Sequence, residues 1–414
     1  MTRSYNIPKE LVMKAYKLVK ANAGSAGVDK QSLEDFEENL KDNLYKIWNR
    51  MSSGSYFPPP VKAVPIPKRA GGTRILGVPT VGDRIAQMVV KLEFEPKVEP
   101  YFLEDSYGYR PNKSAIDAIR ITRKRCWQYD WVLEFDIIGL FDNIPHDLLM
   151  KAVRKHTNCK WTIMYIERWL KASILTREGE NKRGNKGTPQ GGVISPLLSN
   201  LFLHYAYDLW MKINHPDKPW CRYADDGLAH CKTENDAKQL LVELKVRFAE
   251  CGLELHPDKT KIIYCKDSNR KEKYSNKSFD FLGYTFRCRE ARNSQNNTRF
   301  GSFIPAVSKS ALKSMRKKTR RMNWRNRTDL SLKEISNLYN PVLIGWRNYY
   351  GKFCKSAMRP IWGHFNKTLV KWAMNKYKCF KDKKTKAAIF IENIAEKHRE
   401  LFIHWKDGIK DVIA

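Results

Sequence analysis

Residues 220–231 read WCRYADDGLAHC, two apolar runs that close on Tyr-Ala-Asp-Asp-Gly at 223–227. The pattern predicts a β-hairpin with Asp225 and Asp226 side by side at its tip. Asp-Gly is also an ordinary turn dipeptide, so this pair by itself decides nothing. A second stretch changes its weight. Residues 134–147 read EFDIIGLFDNIPHD, and Asp136 ends the apolar strand predicted over 131–135. A carboxylate there is costly unless it meets a cation or hydrogen-bond donors. Carboxylates on two adjacent strands can hold two Mg²⁺ ions about 4 Å apart. Such a pair of ions activates a 3′-hydroxyl and stabilises a pyrophosphate leaving group. A third stretch, GTPQGGVISP at 187–196, reads as a loop leading into a helix, with Ser195 as N-cap and Pro196 at its first position.

The composition names the kind of partner. Among 414 residues, 76 are Lys or Arg and 44 are Asp or Glu, a formal charge of +32. Residues 301–414 hold 26 of the basic and 8 of the acidic residues, so 28% of the chain carries +18 of that charge. Basic residues interleaved with aromatics point to nucleic acid rather than to a membrane surface. A hydrophobic content of 42% with 12% aromatics excludes wholesale disorder. No apolar run approaches a membrane span, and the N-terminus MTRSYNIPKE has no apolar signal region. The nine cysteines are scattered with no CxxC pair, which argues against a zinc ribbon, a redox pair or a disulfide framework. The cytosol is the expected compartment.

Periodicity fills in the rest. Residues 1–50 read as helical with a turn at 22–29 (NAGSAGVD). An extended proline-rich stretch follows at 58–67, then a Gly-Gly turn at 71–72, a strand at 73–78 and a helix to about 98. Helix is expected at 147–172 and 237–251, with strands near 261–265 and 279–287. The polar stretch 288–307 reads as a domain boundary. Beyond it come three helical segments: one with Leu312, Met315 and Met322 on a face, one restarting at Asn340-Pro341, and one carrying Trp362, Phe365, Leu369 and Trp372. Ser331 and Glu334 form a capping-box pair.

The order of these blocks resembles a known family. FDIIGLFDN at Asp136, GTPQGG, YADD, LHPDKTK at 255–261 and FLGY at 281–284 resemble the successive blocks of a reverse transcriptase. They are most similar to those of the bacterial group II intron-encoded reverse transcriptase/maturases. IPKRAGGTRILGVPTVGDR at 66–84, DSYGYRPN at 105–112 and YNPVLIGWRNYY at 339–350 extend the resemblance over about residues 15–375. It implies a right-hand polymerase fold of mixed α/β (α+β) class, with fingers and palm followed by an α-helical thumb. The implied domains are an N-terminal extension (1–50), fingers and palm (51–290), a thumb or maturase domain (302–375) and a basic C-terminal segment (376–414).

Residue by residue, the resemblance implies that Asp136, Asp225 and Asp226 are the catalytic metal-binding triad. The backbone carbonyl of Ile137 is the implied further ligand. The ions would be two Mg²⁺, with Mn²⁺ as an alternative. Lys68 and Arg74 match the finger residues that hold the triphosphate of a dNTP. Phe141 matches the aromatic that blocks a ribose 2′-hydroxyl, although without the resemblance core packing is the more ordinary role for a phenylalanine. Gln190 matches the residue lining the nucleotide and template site. Lys259 lies in the block where a lysine protonates the pyrophosphate. Two positions depart from the family: Ile138 stands where a lysine is usual, and Pro145 where an acidic or small residue is common. Neither removes a metal ligand.

The implied partners are group II intron RNA, an RNA template with a DNA primer, a DNA target and dNTPs, with no membrane. Lys313, Arg316, Lys317, Lys318, Arg320 and Arg321 cluster over about three helical turns and are the expected RNA contacts. The absence of CxxC pairs after the thumb implies that the zinc-dependent HNH-type endonuclease of many intron-encoded proteins is missing. Residues 376–414, with Lys381, Lys383, Lys384 and Lys386 ahead of Ile389, Ile391, Ile394 and Ala395, read either as a short DNA-binding domain or as a solvated terminal helix. The expected function is RNA-directed DNA synthesis on intron RNA, with maturase assistance to splicing and retrohoming. Three alternatives stay open: a splicing cofactor with a vestigial polymerase, a domesticated reverse transcriptase in DNA repair or phage defence, and an RNA-dependent RNA polymerase. The last is opposed by Phe141.

Overall fold

Helices dominate the first 60 residues, because apolar residues recur there at helical spacing between polar faces. The computed structural model describes residues 5–67, 72–181, 184–293 and 295–410. In chain order the helices are α1 (Lys9–Asn22), α2 (Leu33–Glu38), α3 (Leu40–Ser53), α4 (Val81–Val98), α5 (Ala115–Gln128), α6 (Leu140–Asn143), α7 (His146–His156), α8 (Lys160–Leu170), α9 (Ser195–Leu203), α10 (Leu209–Asn214), α11 (Glu234–Glu250), α12 (Lys309–Met322), α13 (Leu332–Tyr350), α14 (Arg359–Lys376), α15 (Lys384–Lys397) and α16 (Ile403–Lys406). The strands are β1 (Val61–Pro67), β2 (Thr73–Val78), β3 (Trp131–Asp136), β4 (Ile174–Thr176), β5 (Gly179–Asn181), β6 (Trp220–Tyr223), β7 (Asp226–Cys231), β8 (Lys261–Tyr264), β9 (Ser278–Phe281), β10 (Tyr284–Arg292) and β11 (Arg299–Val307). Contacts divide the chain into two units, residues 1–118 with 132–262, and residues 119–131 with 263–414.

The first unit has two sheets. One has the order β2-β1-β4-β5. β1 and β2 are antiparallel, with Ile66 opposite Arg74, and β4 runs parallel to β1. The other sheet has β6, β7 and β3 in that order, so the hairpin and the strand bearing Asp136 are neighbours. In the helices of this unit, Val81, Ile85, Val89 and Phe94 of α4 and Leu197, Leu198 and Leu201 of α9 are fully buried or nearly so, and α4 contacts α9. The turn at 22–29 is held from α4: Arg84 donates to the carbonyls of Ala23 and Ser25 at 3.2 and 3.0 Å.

One sequence expectation fails here. Ser195 is the first residue of α9, not its cap, and its hydroxyl accepts from Thr188 Oγ1 at 2.8 Å. Beyond Leu203 the chain stays helical but not as a regular α-helix. A five-residue π-helical segment, His204–Asp208, follows α9. A side-chain period of 3.6 cannot reveal such a widened turn.

In the second unit β11-β10-β9 form an antiparallel sheet. The stretch 288–307 is therefore no polar connection. β10 and β11 pair over nine residues each, from Tyr284 opposite Val307 to Arg292 opposite Arg299. FLGY is the tight turn between β9 and β10: Phe281 pairs with Tyr284, and Leu282 and Gly283 take φ values of 50° and 81°. Two successive residues with positive φ are what a twist-matched two-residue hairpin requires. Helices α12–α15 close a separate core around Trp324, Trp362, Phe365, Trp372 and Trp405. Ser331 and Glu334 form the expected capping box at the start of α13. Pro341 does not restart a helix; α13 runs through it. Asn340 beside it donates to Leu401 O at 2.7 Å and accepts from Ile403 N at 3.3 Å, which ties this part of the helix down. Ala387, Ala388, Ile391 and Ala395 of α15 are buried in that same core, whereas Ile389 is exposed.

Candidate active site

The site grows from two strand ends. β3 delivers Asp136, and the β6–β7 hairpin turns at Ala224-Asp225, with Tyr223 opposite Asp226. Ala224 takes φ 57°, a left-handed conformation that a non-glycine residue adopts only where its surroundings impose it. Gly227 explains how closely the two elements meet. A Cβ on it would lie 2.1 Å from Phe135 Cζ, so the ring one residue before Asp136 packs directly on the β7 backbone. The three carboxylates feel one another as a result. Burial raises the pKa of Asp225 above the ordinary carboxylate range, and Asp136 adds to the shift. Asp226 keeps solvent access at the mouth of the site, yet the surrounding protein and the charges of Asp225 and Asp136 push its pKa up to about 7. Carboxylates so crowded are short of positive charge.

Lys259 supplies part of that charge. Its Nζ stands 2.7 Å from Asp136 Oδ2, and this hydrogen bond leads the causes that raise the lysine pKa. The position follows from the backbone. Ile137 bridges to Leu255, Ile138 N donates to Glu254 O at 2.8 Å, and His256 N donates to Asp136 O at 2.8 Å. The segment 254–256 thus runs along the end of β3 and aims the following turn at the carboxylates. Among the described residues no three His, Cys, Asp or Glu side chains are already closed into a metal cage. The donor set nevertheless suits hard divalent cations. It offers only carboxylate and carbonyl oxygens, and its raised pKa values mark a deficit of charge that a cation would relieve.

The nucleotide-side residues come from two further loops. Phe141 is half-buried on α6, and its carbonyl accepts from Thr188 N at 2.6 Å. Gln190 donates to Asp142 Oδ2 at 3.3 Å, and its carbonyl accepts from Gly77 N at 2.6 Å. The GTPQGG loop is therefore clamped between α6 and β2, which brings Phe141 and Gln190 to one edge of the site. Gly187 makes the clamp fit: at φ 85°, a Cβ there would come 2.9 Å from Asp142 O. Gly187→Ala should consequently lower stability by about 1–3 kcal/mol, measured as a drop in melting temperature. An unchanged melting temperature would mean that the loop is not so held. Arg74 is exposed on β2 and near enough to lower the pKa of Tyr109, which is itself raised by burial and then by Asp225. Lys68 lies outside the described residues.

The sequence reading missed two groups at this site. Tyr109, at φ 57°, follows Gly108, where a Cβ would sit 2.4 Å from Ala224 N. Arg222 and Asp208 form an ion pair at 2.6 Å, both side chains 0% exposed, immediately behind the hairpin tip. Arg222 adjoins YADD in sequence, which was the one available signal. Its partner lies in the π segment, where no pattern points.

In the second unit, five of the six expected RNA contacts on α12, namely Lys313, Lys317, Lys318, Arg320 and Arg321, are exposed, and Arg316 is half-buried. Arg316 and Arg320 line a groove of about 650 Å³ beside α14, together with Arg359, His364 and Lys367.

Comparison with known proteins completes the assignment. Residues 66–286 match the family model for reverse transcriptase (RNA-dependent DNA polymerase), and residues 312–388 match that for the group II intron maturase-specific domain. The chain belongs to the family of group II intron-encoded reverse transcriptases. It is 32% identical over 320 residues to protein YkfC of Escherichia coli (strain K12), covering 68% of this chain and 81% of that protein. It is 32% identical over 203 residues to the group II intron-encoded protein LtrA of Lactococcus lactis subsp. cremoris, covering 48% of this chain and 33% of LtrA. It is 26% identical over 276 residues to the putative COX1/OXI3 intron 1 protein of Saccharomyces cerevisiae, covering 66% of this chain and 32% of that protein. The chain thus spans about a third of LtrA and of the yeast protein. The sheet carrying the carboxylates lies in the polymerase match of this reverse transcriptase, and α13, α14 and all but the first three residues of α12 lie in its maturase match. Among the described residues, no helix is long and apolar enough to cross a membrane.

Proposed function

We propose that this reverse transcriptase copies the RNA of a group II intron into DNA at Asp136, Asp225 and Asp226. We propose further that its helical unit binds that RNA to assist splicing and retrohoming. The observation that carries the reading is the meeting of two strand ends, where burial and neighbouring carboxylate charge raise the pKa values of Asp225 and Asp226 while Lys259 pairs, among the described residues, only with Asp136. The Ile137 carbonyl would complete the oxygen donors. When bound there, two Mg²⁺ ions, or Mn²⁺ in their place, would acidify the primer 3′-hydroxyl and offset charge on the departing pyrophosphate. The rest falls to side chains of the protein. Arg74, with Lys68, would grip the triphosphate through charge-assisted hydrogen bonds. Gln190 would hold the templating edge. Phe141 would meet the sugar at C2′ and exclude a hydroxyl. Lys259, hydrogen-bonded to Asp136, would give a proton to the pyrophosphate. Lys313, Arg316, Lys317, Lys318, Arg320 and Arg321 would contact phosphates and 2′-hydroxyls, the groups an A-form duplex exposes. A protein acting on intron RNA and a DNA target would work in the bacterial cytosol near the nucleoid.

The test is primer extension on an RNA template with dNTPs and Mg²⁺. Full-length DNA is expected. Tight RNA binding with no DNA product would overturn the reading and favour a splicing cofactor with an inactive polymerase. A second assay addresses the sugar. Phe141→Ala should cut the preference for dNTPs over NTPs by about 100-fold, measured from the two kcat/KM values. An unchanged ratio would assign Phe141 to core packing alone.

A further inference from the structure

The turn that carries Asp225 is built on an unusual support. All five N–H donors of the Arg222 guanidinium have acceptors of their own. Nε donates to Asp208 Oδ1 at 2.7 Å, and Nη2 to Asp208 Oδ2 at 2.6 Å and to Ser106 Oγ at 2.9 Å. Nη1 donates to Asn200 Oδ1 at 3.1 Å and to Ala224 O at 3.0 Å. The main chain of Arg222 is fixed as well: its N–H donates to Asp105 O and its carbonyl accepts from Tyr107 N, both at 2.9 Å. Asn200 closes the ring by donating to Gly108 O at 2.6 Å, and Gly108 is the residue packed against Ala224 N.

We propose that Arg222, held by Asp208, Asn200 and Ser106, is a positioning residue for catalysis that sets the Ala224–Asp225 peptide and so aims the Asp225 carboxylate. The inference rests on the reading of Asp225 as a metal-holding residue and deepens it. The peptide unit is planar, so a hydrogen bond to Ala224 O also fixes the N–H of Asp225 and the direction in which its side chain leaves the backbone. Ala224 is left-handed at φ 57° with no glycine to make that easy, and a conformation of this kind persists only where its neighbours over-determine it. The ion pair behind it is fully buried, and a buried pair is a weak source of net stability. Its geometry fits a device for orientation better. Asp208 reaches the guanidinium from the last position of the π-helical segment, and widened turns of this kind are frequent at functional sites.

Arginine and lysine differ in the property at issue. Lysine keeps the charge for Asp208 but has three mobile donors in place of a planar fork. Arg222→Lys should therefore fold and bind RNA, yet incorporate nucleotide about 10- to 100-fold more slowly, as measured for groups that orient metal ligands. The experiment is single-turnover incorporation into an RNA-templated primer, counted per active molecule by burst titration and repeated across Mg²⁺ concentrations. The expected result is a slower rate per active molecule and a higher half-saturating Mg²⁺, with the dNTP KM little changed. Ser106→Ala, which removes one acceptor and keeps the ion pair, should move both quantities in the same direction by less. It carries the test if Arg222→Lys does not fold. A wild-type rate per active molecule at an unchanged Mg²⁺ requirement would overturn the inference and leave Arg222 a purely structural residue. Failure of wild-type protein to extend a primer in Mg²⁺ would instead overturn the reading of the site itself.

Discussion

Asp225→Asn should lower RNA-templated DNA synthesis by about a thousandfold or more while leaving RNA affinity within a factor of two. The substitution keeps the volume and the turn but removes one charge from the meeting point of β3 and the β6–β7 hairpin. Losing a metal-holding carboxylate forfeits several kcal/mol of transition-state stabilisation, and each 1.36 kcal/mol is a factor of about ten in rate. Folding should not suffer. Asp225 carries a raised pKa, so its charge is disfavoured in the folded protein, and a neutral amide relieves crowding with Asp136 and Asp226. The variant should melt at or slightly above the wild-type temperature. A loss of synthesis accompanied by a large fall in melting temperature would point to a structural role for Asp225. Retained synthesis would mean that the metal site lies elsewhere.

The second large effect is electrostatic. If the six cations on α12 each meet a phosphate, log affinity for RNA should fall with log salt at a slope of about −4 to −5 from these contacts alone. Raising the salt from about 50 to about 200 mM would then weaken binding by roughly a thousandfold. Replacing Lys313, Arg316, Lys317, Lys318, Arg320 and Arg321 together by Ala should flatten the slope by the same amount. Arg316 and Arg320 should matter most per residue, because the groove they line with Arg359 and Lys367 gathers four cations along one path. Filter binding or fluorescence anisotropy across a salt series measures the slope directly. A slope unchanged by the substitutions would place the RNA contacts on another face.

The elements that carry the chemistry were legible because their pattern departs from what folding alone favours. An aspartate ending the apolar run of β3, and a second and third at a hairpin tip, stand out against their strands. Gly187 and Gly227 sit where backbone meets backbone or ring, so GTPQGG and YADDG carry their geometry in their glycines. The strand expected at 279–287 covers only the start of β10, and the rest of the β10–β11 pair was missed because Arg289, Glu290, Arg292, Arg299 and Ser302 interrupt any apolar stripe. Asn293 and Asn297 mark a hairpin loop between them, not a link between domains. Pro341 misled because proline breaks most helix interiors, whereas here Asn340 anchors α13 against the segment 401–403. The support of the hairpin tip was invisible for a different reason. Asp208 lies 14 residues from Arg222, and a single π turn leaves no periodic trace. Likewise, the contact of Lys259 with Asp136 spans 123 residues and exists only once 254–256 has aligned beside β3.

Locating the bound metal decides whether Asp136, Asp225 and Asp226 form the catalytic centre. Fe²⁺ put in place of Mg²⁺, with ascorbate and hydrogen peroxide, generates hydroxyl radicals that cut the polypeptide where the ion sits. Cuts clustered near 136 and near 225–226, suppressed by excess Mg²⁺ and lost in Asp225→Asn, are expected. Cuts elsewhere, or an unchanged pattern in the variant, would contradict that assignment.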